Sequence, residues 1–274
     1  MKALCIGDIV GSPGRKAVRD LLPGLIEEHD IDVVIANAEN VAGGSGLTSD
    51  TAQDLLALPI MALTGGNHTW RFKEVKKLLE QQERVLRPYN YPAGAPGRGC
   101  GVFESKAGVR VGVLNLQGCV FMAPLPSPFV AADEAIEALR AEGCDVIIVD
   151  MHAEATSEKR ALGWYLDGRV SLLYGTHTHV ATADEEILPK GTAYITDIGM
   201  TGPHDSVIGT KKELVLERFL TMRPVAFNVA KGDVRLCGVI AEIDPESGKA
   251  SAIERLRVPY PGRGAFPQRV SPHS

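Results

Sequence analysis

Residues 32–40 read Asp-Val-Val-Ile-Ala-Asn-Ala-Glu-Asn, an apolar run that gives way to polar side chains. A glycine-rich loop at 43–46 follows, and then an amphipathic stretch at 49–57 that Thr48 is suited to cap. This order predicts a buried strand whose end leads through a loop into a helix. The same order recurs with strands at 3–6 and 60–63 and helices at 14–28 and 70–82. Alternating strands and helices indicate an α/β fold.

The rest of the chain supplies a second set of strands. Three prolines and three glycines make residues 86–99 a loop. Beyond it we expect strands at 101–105, 109–115, 146–149, 170–174, 185–188, 192–196, 225–231, 234–243 and 250–257, and helices at 130–141 and 155–166. Two strand-bearing halves, 1–85 and 100–258, fit a sandwich of two sheets with helices outside. We expect one domain over 1–274, with a tail from about residue 259 that is loosely held.

Composition excludes several classes of protein. Of the 274 residues, 45% are apolar and 23% are charged, as in ordinary globular proteins. The net charge of −5, from 29 basic and 34 acidic residues, provides no general attraction to nucleic acid or to an anionic membrane. No run is long enough to span a membrane, and we expect no secretory signal because residues 1–8 turn polar early. Five separated cysteines without a C-x-x-C pair favour reduced thiols and a cytoplasmic location.

Polar side chains collect where five of the predicted strands end. They are Asp8, Glu39-Asn40, Asn67-His68, His152 and His177-x-His179. If these strands are parallel, their ends converge on one edge of the fold, where α/β proteins bind ligands. Carboxylates, imidazoles and amide oxygens suit divalent metal ions, and the H-x-H spacing predicts that His177 and His179 share one face of an extended segment. The lack of cysteine pairs argues against a structural zinc site.

A metal site at this edge would favour phosphate chemistry. Two divalent ions bring four positive charges against two negative charges from Asp8 and Glu39, so an anion is attracted. Two ions at about 3.5–4 Å also suit in-line displacement at phosphorus. Glu39 is the best candidate to bridge them, with a bridging water as nucleophile, and His68 beside Asn67 is placed to protonate a leaving alkoxide.

Taken singly, several of these residues have simpler interpretations. Asp8 could cap the next helix, Asn67 could be a turn residue, and His68 could be a surface histidine. Their joint occurrence outweighs those interpretations. Trp70, beside His68, could stack a base or wall the site, and so could Phe72, although core packing accounts for both equally well. Neither a P-loop nor a dinucleotide-binding fingerprint is present.

The order of these motifs resembles that of the calcineurin-like metallophosphoesterases. Their pattern is D-x-H, G-D-x-x-D, G-N-H-[DE], a lone histidine, and G-H-x-H. This sequence has Val10 in place of the first histidine and Glu39 in place of an aspartate. Residues 37–40 (Asn-Ala-Glu-Asn) and 196–209 look like the YmdB-type subfamily of bacterial 2′,3′-cyclic-nucleotide phosphodiesterases. The resemblance extends over about residues 5–220.

The resemblance implies a four-layer α/β/β/α sandwich of two mixed sheets that holds a dinuclear metal site. The first metal would be held by Asp8, Glu39, Asn40 and His179, and the second by Glu39, Asn67, His152 and His177. Asn40 would replace the histidine missing at position 10, which favours iron or manganese, with zinc as the alternative. A metal-bridging hydroxide would open a 2′,3′-cyclic nucleotide to the 3′-nucleotide, with His68 as general acid. The resemblance also implies a homo-oligomer.

Three other functions stay open at this point. The first is a phosphomonoesterase or nucleotidase that uses the same site. The second is an amidohydrolase-type metal hydrolase, although those enzymes carry H-x-H on the first strand and here it follows residue 175. The third is a metal-binding regulatory protein with little catalysis, which should keep its cellular effect in His68→Ala.

Overall fold

The structure, a computed structural model, describes residues 1–262. Within them the strands are β1 (Lys2–Ile6), β2 (Asp8–Ile9), β3 (Val33–Asn37), β4 (Ala62–Thr64), β5 (Val85–Leu86), β6 (Cys100–Glu104), β7 (Arg110–Gln117), β8 (Val146–His152), β9 (Leu172–Thr176), β10 (Glu186–Ile187), β11 (Ala193–Ile195), β12 (Met200–Pro203), β13 (Val234–Ile243) and β14 (Ala250–Pro259). The α-helices are α1 (Gly11–His29), α2 (Ser49–Leu56), α3 (Val75–Gln81), α4 (Pro128–Ala141), α5 (Thr156–Leu166) and α6 (Lys212–Thr221), and a 3₁₀ turn covers Thr69–Arg71.

These strands form two mixed sheets. The first has the order β2-β12-β13-β1-β3-β4-β5, with β14 paired to β13, and its β1, β3, β4 and β5 are parallel. The second has the order β10-β11-β9-β8-β7-β6, in which β11, β9, β8 and β7 are parallel. The carboxyl ends of the parallel strands therefore lie at one edge of each sheet, as the sequence predicts.

Side-chain alternation along the strands builds three apolar layers. On β1, Ala3 and Cys5 pack between the two sheets, whereas Leu4 and Ile6 pack against the helices that cover the first sheet. Residues of α4 and α5 cover the outer face of the second sheet in the same way. The result is the predicted four-layer α/β/β/α sandwich.

The predicted cap of α2 is confirmed, whereas the helix expected at 70–82 is confirmed only in part. The predicted N-cap Thr48 forms a capping box with Thr51, in which the backbone N–H of Thr51 donates to Thr48 Oγ1 at 3.3 Å and that of Thr48 donates to Thr51 Oγ1 at 3.0 Å. The helix expected at 70–82 is divided into the 3₁₀ turn and α3.

Other local predictions are wrong. The strand expected at 225–231 makes only one isolated bridge, at Val229, to Thr210. Helix α6 was not predicted, although Val215 and Phe219, like Leu216 and Leu220, have the i, i+4 spacing of a helix; of these four residues only Val215 is buried. Strand β12 escaped prediction because glycine and proline occupy half of its four positions.

The start of the C-terminal tail is held by the first sheet. Strand β14 runs to Pro259, and the backbone N–H of Tyr260 donates to Val234 O at 2.8 Å. The remainder of the tail, 263–274, for which the sequence predicts loose attachment, lies outside the described residues. Over residues 1–262, no helix is both long enough and apolar enough to cross a membrane. The five cysteines, which all fall in this range, are free thiols.

Candidate metal centre

All five predicted polar clusters meet at one edge of the sandwich, between the two sheets. Asp8 follows β1, Glu39 and Asn40 follow β3, and Asn67 and His68 follow β4 in the first sheet. In the second sheet, His152 ends β8, and His177 and His179 follow β9. Each of these eight side chains lies within hydrogen-bonding distance of another member of the set.

One group of donors surrounds the amide of Asn40. Its Nδ2 lies 3.1 Å from His179 Nε2, 3.1 Å from Glu39 Oε1 and 3.4 Å from Asp8 Oδ1. An amide NH₂ has two protons, so it cannot satisfy three acceptors. Rotating the amide by 180° would instead present its oxygen, which gives four N and O donors around one point. This group fits a cation.

A second group surrounds Nε2 of His152. This atom lies 2.9 Å from Asn67 Oδ1, 3.3 Å from Glu39 Oε2 and 3.1 Å from His177 Nδ1. The ligand atoms of Glu39, His152 and His177 all lie within 4.8 Å of one another. Nε2 of His152 carries at most one proton, so it cannot donate to all three of these neighbours. A cation placed among the four atoms would accept a lone pair from each of them.

Glu39 connects the two groups. Its Oε1 faces the Asn40 amide and its Oε2 faces His152. The residue is only 2% exposed, so both oxygens are removed from water. The ring of His68 also approaches this carboxylate, with Nδ1 3.1 Å from Oε1, and its backbone N–H donates to Oε2 at 3.1 Å. One carboxylate thus has an oxygen in each donor group.

A buried chain of hydrogen bonds orients His152. The hydroxyl of Thr176 donates to Asp150 Oδ1 at 2.7 Å, so its oxygen accepts from His152 Nδ1 at 3.0 Å. Asp150 is held in turn by Thr64 at 2.5 Å and by Asn37 at 3.0 Å. With the proton fixed on Nδ1, the lone pair of Nε2 points into the second donor group. Sequence reasoning missed Asp150 and Thr176.

The pKa shifts of the site residues indicate that the site would stabilise a positive charge. Burial raises the pKa of Asp8. Burial alone would also raise the pKa of Glu39, but the imidazoles of His152 and His68 lower it well below its usual range. Burial opposes a charge on His152, yet Glu39 raises its pKa to about 9. Burial and the neighbouring His152 lower the pKa of His177 to about 3, which leaves its ring neutral. A cation between Glu39 and His152 would be stabilised by the buried carboxylate.

The loop that carries His177 and His179 has a strained backbone. Both residues have positive φ, 95° and 66°, so they do not share a face of an extended segment, and that prediction is wrong. Each ring instead faces a different donor group. This turn of the backbone is what allows two residues spaced i, i+2 to serve two groups.

A buried ion pair holds that loop in place. Lys159 Nζ donates to Thr176 O at 2.8 Å and to Asp197 Oδ2 at 2.7 Å. The hydroxyl of Thr178 donates to the same Asp197 oxygen at 2.8 Å. Sequence reasoning missed both members of the pair. A signal was present, because Lys159 lies three and seven residues before Leu162 and Leu166 on the apolar face of the predicted helix.

Gly66 lets the two sheets approach at the site. A Cβ at this position would lie 2.3 Å from Glu39 Oε2 and 2.3 Å from His152 Nε2, both far inside contact distance. Only glycine leaves room for these two side chains beside the turn that carries Asn67.

Gly66→Ala is therefore expected to displace Glu39 and His152 and to lower metal affinity and catalytic rate about 100-fold, the cost of roughly 1 Å of misplacement. Metal content and turnover of the purified variant measure this effect. Gly24→Ala is the matched control, because a Cβ there meets nothing within 4 Å and activity should not change. Full metal content and full turnover in Gly66→Ala would contradict the arrangement described above.

Comparison with known proteins identifies the family of this chain. A sequence model described as YmdB-like protein matches residues 4–256. The chain belongs to the YmdB-like family. A relative from Bacillus subtilis (strain 168), named 2′,3′-cyclic-nucleotide 2′-phosphodiesterase, is 48% identical over 258 residues, which cover 94% of this chain and 97% of the relative.

Two solved structures are similar over the same extent. A hypothetical protein from Thermus thermophilus superposes with a TM-score of 0.88 at 44% identity, covering 95% of this chain and 100% of that one. A structure titled as a novel phosphatase from Mycoplasma pneumoniae gives a TM-score of 0.86 at 36% identity, with 94% and 93% covered. The predicted family, the sandwich fold and the enzyme class of phosphoester hydrolase are confirmed by these relatives.

Proposed function

We propose that this YmdB-like chain is a metal-dependent phosphodiesterase that opens 2′,3′-cyclic nucleotides to 3′-nucleotides. The observation that carries the proposal is the position of Glu39, which offers one carboxylate oxygen to each of two groups of buried N and O donors. The name of the 48% identical relative supports the choice of substrate.

In this proposal two metal ions bind in the two donor groups. Asp8, Glu39, Asn40 and His179 hold one ion, and Glu39, Asn67, His152 and His177 hold the other. The donors are nitrogen and oxygen without thiolate, which suits iron or manganese, with zinc as the alternative. When bound, such ions supply the positive charge that attracts a phosphate and lower the pKa of the water that attacks phosphorus.

His68 acts as the general acid in this proposal. Its Nδ1 is held 3.1 Å from Glu39 Oε1 and its backbone N–H donates to Glu39 Oε2 at 3.1 Å, while the side chain is 40% exposed. The ring therefore keeps a fixed orientation, and Nε2 is left to carry a proton toward the substrate. As water attacks phosphorus and the P–O2′ bond breaks, this proton passes to the leaving ribose oxygen.

Asn67 stabilises the negative charge that develops on the phosphate. Its Oδ1 lies 2.9 Å from His152 Nε2, which leaves the NH₂ of the same amide to donate to a phosphate oxygen. A phosphomonoesterase is the second candidate, because the 36% identical solved structure is titled a phosphatase and the same donors would serve a monoester.

Purified protein assayed with 2′,3′-cyclic AMP, 2′-AMP and 3′-AMP, with bound metal quantified in the same samples, tests the proposal. We expect about two metal ions per chain, 3′-AMP as product, and monoesters turned over at least about 100-fold more slowly. Preference for the monoesters would favour the phosphatase. Bound metal without turnover of any ester would favour a regulatory protein, and protein that takes up no metal would contradict the site.

A further inference from the structure

An apolar cavity of about 600 Å³ opens beside the candidate metal centre. This volume lies within the roughly 300–1,000 Å³ of small-molecule sites in proteins. The rings of Trp70 and Tyr91 line it, together with prolines and alanines of the neighbouring loops. Asn67, Lys76 and Gln117 are its polar side chains. Asn67 belongs both to this cavity and to the donor group around His152.

Trp70 lines this cavity and is only partly buried. It is 44% exposed, and its ring centroid lies 5.8 Å from that of Tyr91 with an interplanar angle of 31°. Two rings at this spacing are already in contact, so no further ring can enter between them. Phe72 instead contacts the backbone of Gly46, where an added Cβ would lie 2.9 Å from its ring.

Tyr91 fixes the aromatic pair to the turn that carries the catalytic candidates. Its hydroxyl lies 3.0 Å from Gly66 O and 3.1 Å from Gln117 Oε1. The hydroxyl of Thr69 donates to the same Gly66 oxygen at 2.6 Å. The wall of the cavity and the turn at 66–68 are therefore one connected unit, which keeps Trp70 at a set distance from the phosphate position.

We propose that this cavity binds the nucleobase of the substrate and that Trp70 stacks on it. The proposal rests on the proposed function, because it places the phosphodiester at the metal centre. Asn67 lines the cavity and also lies in the donor group around His152, so a nucleotide with its phosphate at the donor groups can place its base in the cavity. Stacking uses the π-face that all bases share, so the cavity favours nucleotides over base-free diesters and discriminates weakly among bases.

Steady-state kinetics on two diesters test this subsite. We expect Trp70→Ala to raise KM for 2′,3′-cyclic AMP by roughly 5- to 150-fold with kcat within about threefold, while Trp70→Phe keeps most of the affinity. The base-free diester 1-O-methylribose 2′,3′-cyclic phosphate should be hydrolysed alike by wild type and Trp70→Ala. Trp164→Ala is the matched control, since Trp164 is similarly exposed, at 49%, but packs on Arg160 outside the cavity. Equal loss on both diesters, or no change on either, would overturn the subsite.

Adenosine binding supplies a second measurement that needs no turnover. The chain has two tryptophans, so in Trp164→Phe the only fluorescent indole is Trp70. Adenosine should quench it in a saturable way and should leave the fluorescence of Trp70→Phe unchanged. If adenosine quenches the fluorescence of protein that hydrolyses no diester, the proposed function is wrong and the subsite is supported. If the protein hydrolyses the diester without quenching by adenosine and without a KM effect of Trp70→Ala, the subsite is wrong and the proposed function is supported.

Discussion

Glu39→Gln is expected to reduce hydrolysis of 2′,3′-cyclic AMP by about three orders of magnitude or more and to lower the metal content to one ion per chain or none. The amide keeps the shape of the carboxylate but offers one oxygen in place of two, so it can serve only one of the donor groups. It also removes the negative charge that faces His152 and His68. Metal analysis and turnover of the same preparation measure both effects.

Glu185→Gln is the matched control for this variant. Glu185 pairs with Arg255 at 2.7 Å outside the site, so the same chemical change there should leave metal content and turnover as in wild type. A circular dichroism spectrum should establish that Glu39→Gln is folded. If folded Glu39→Gln keeps two metal ions, then Glu39 does not link two metal sites.

His68→Ala is expected to lower kcat for 2′,3′-cyclic AMP by about 10²- to 10⁴-fold while the metal content stays at the wild-type level. The physical reason is that the ring supplies a proton to the leaving ribose oxygen rather than a lone pair to a metal ion. A diester with a p-nitrophenolate leaving group needs no such proton. The variant should therefore hydrolyse that substrate at nearly the wild-type rate.

Comparing the two substrates, together with the metal content, distinguishes a general acid from a metal ligand. An equal loss on both would mean that His68 does not act as the acid, and a loss of metal would mean that it acts as a ligand. His29→Ala, at the last turn of α1, is a matched histidine deletion outside the site and should change neither rate.

The family, the sandwich and the set of polar residues could be predicted from the sequence. Each of them produces a pattern among residues that are close together in the chain. Apolar runs such as 146–149 end in polar side chains, and parallel strands bring such ends to one edge. That is why His152 and His177, which are 25 positions apart, could be assigned to one site before any distance was known. Their role as metal ligands stays a prediction that Glu39→Gln tests.

Helix α6 was missed, and a strand at 225–231 was wrongly expected. Helix α6 exposes Phe219 and Leu220 rather than burying an apolar stripe, and the alternating residues at 225–231 lack a full partner strand. Sequence patterns predict burial, so they fail where an apolar pattern finds nothing to pack against.

The sequence by itself determined which side chains are present for chemistry, since ligand and acid types are fixed by residue identity. Only the tertiary structure decided that Asp150 orients His152 through Thr176 and that a left-handed backbone separates the two histidines after β9. The reason is range, because Asp150 is 113 residues from its partner Asn37 and Asp8 is 169 from His177, whose backbone N–H donates to it at 3.0 Å. Contacts between residues this far apart in the chain arise from the packing of the two sheets. Patterns among neighbouring residues do not predict them.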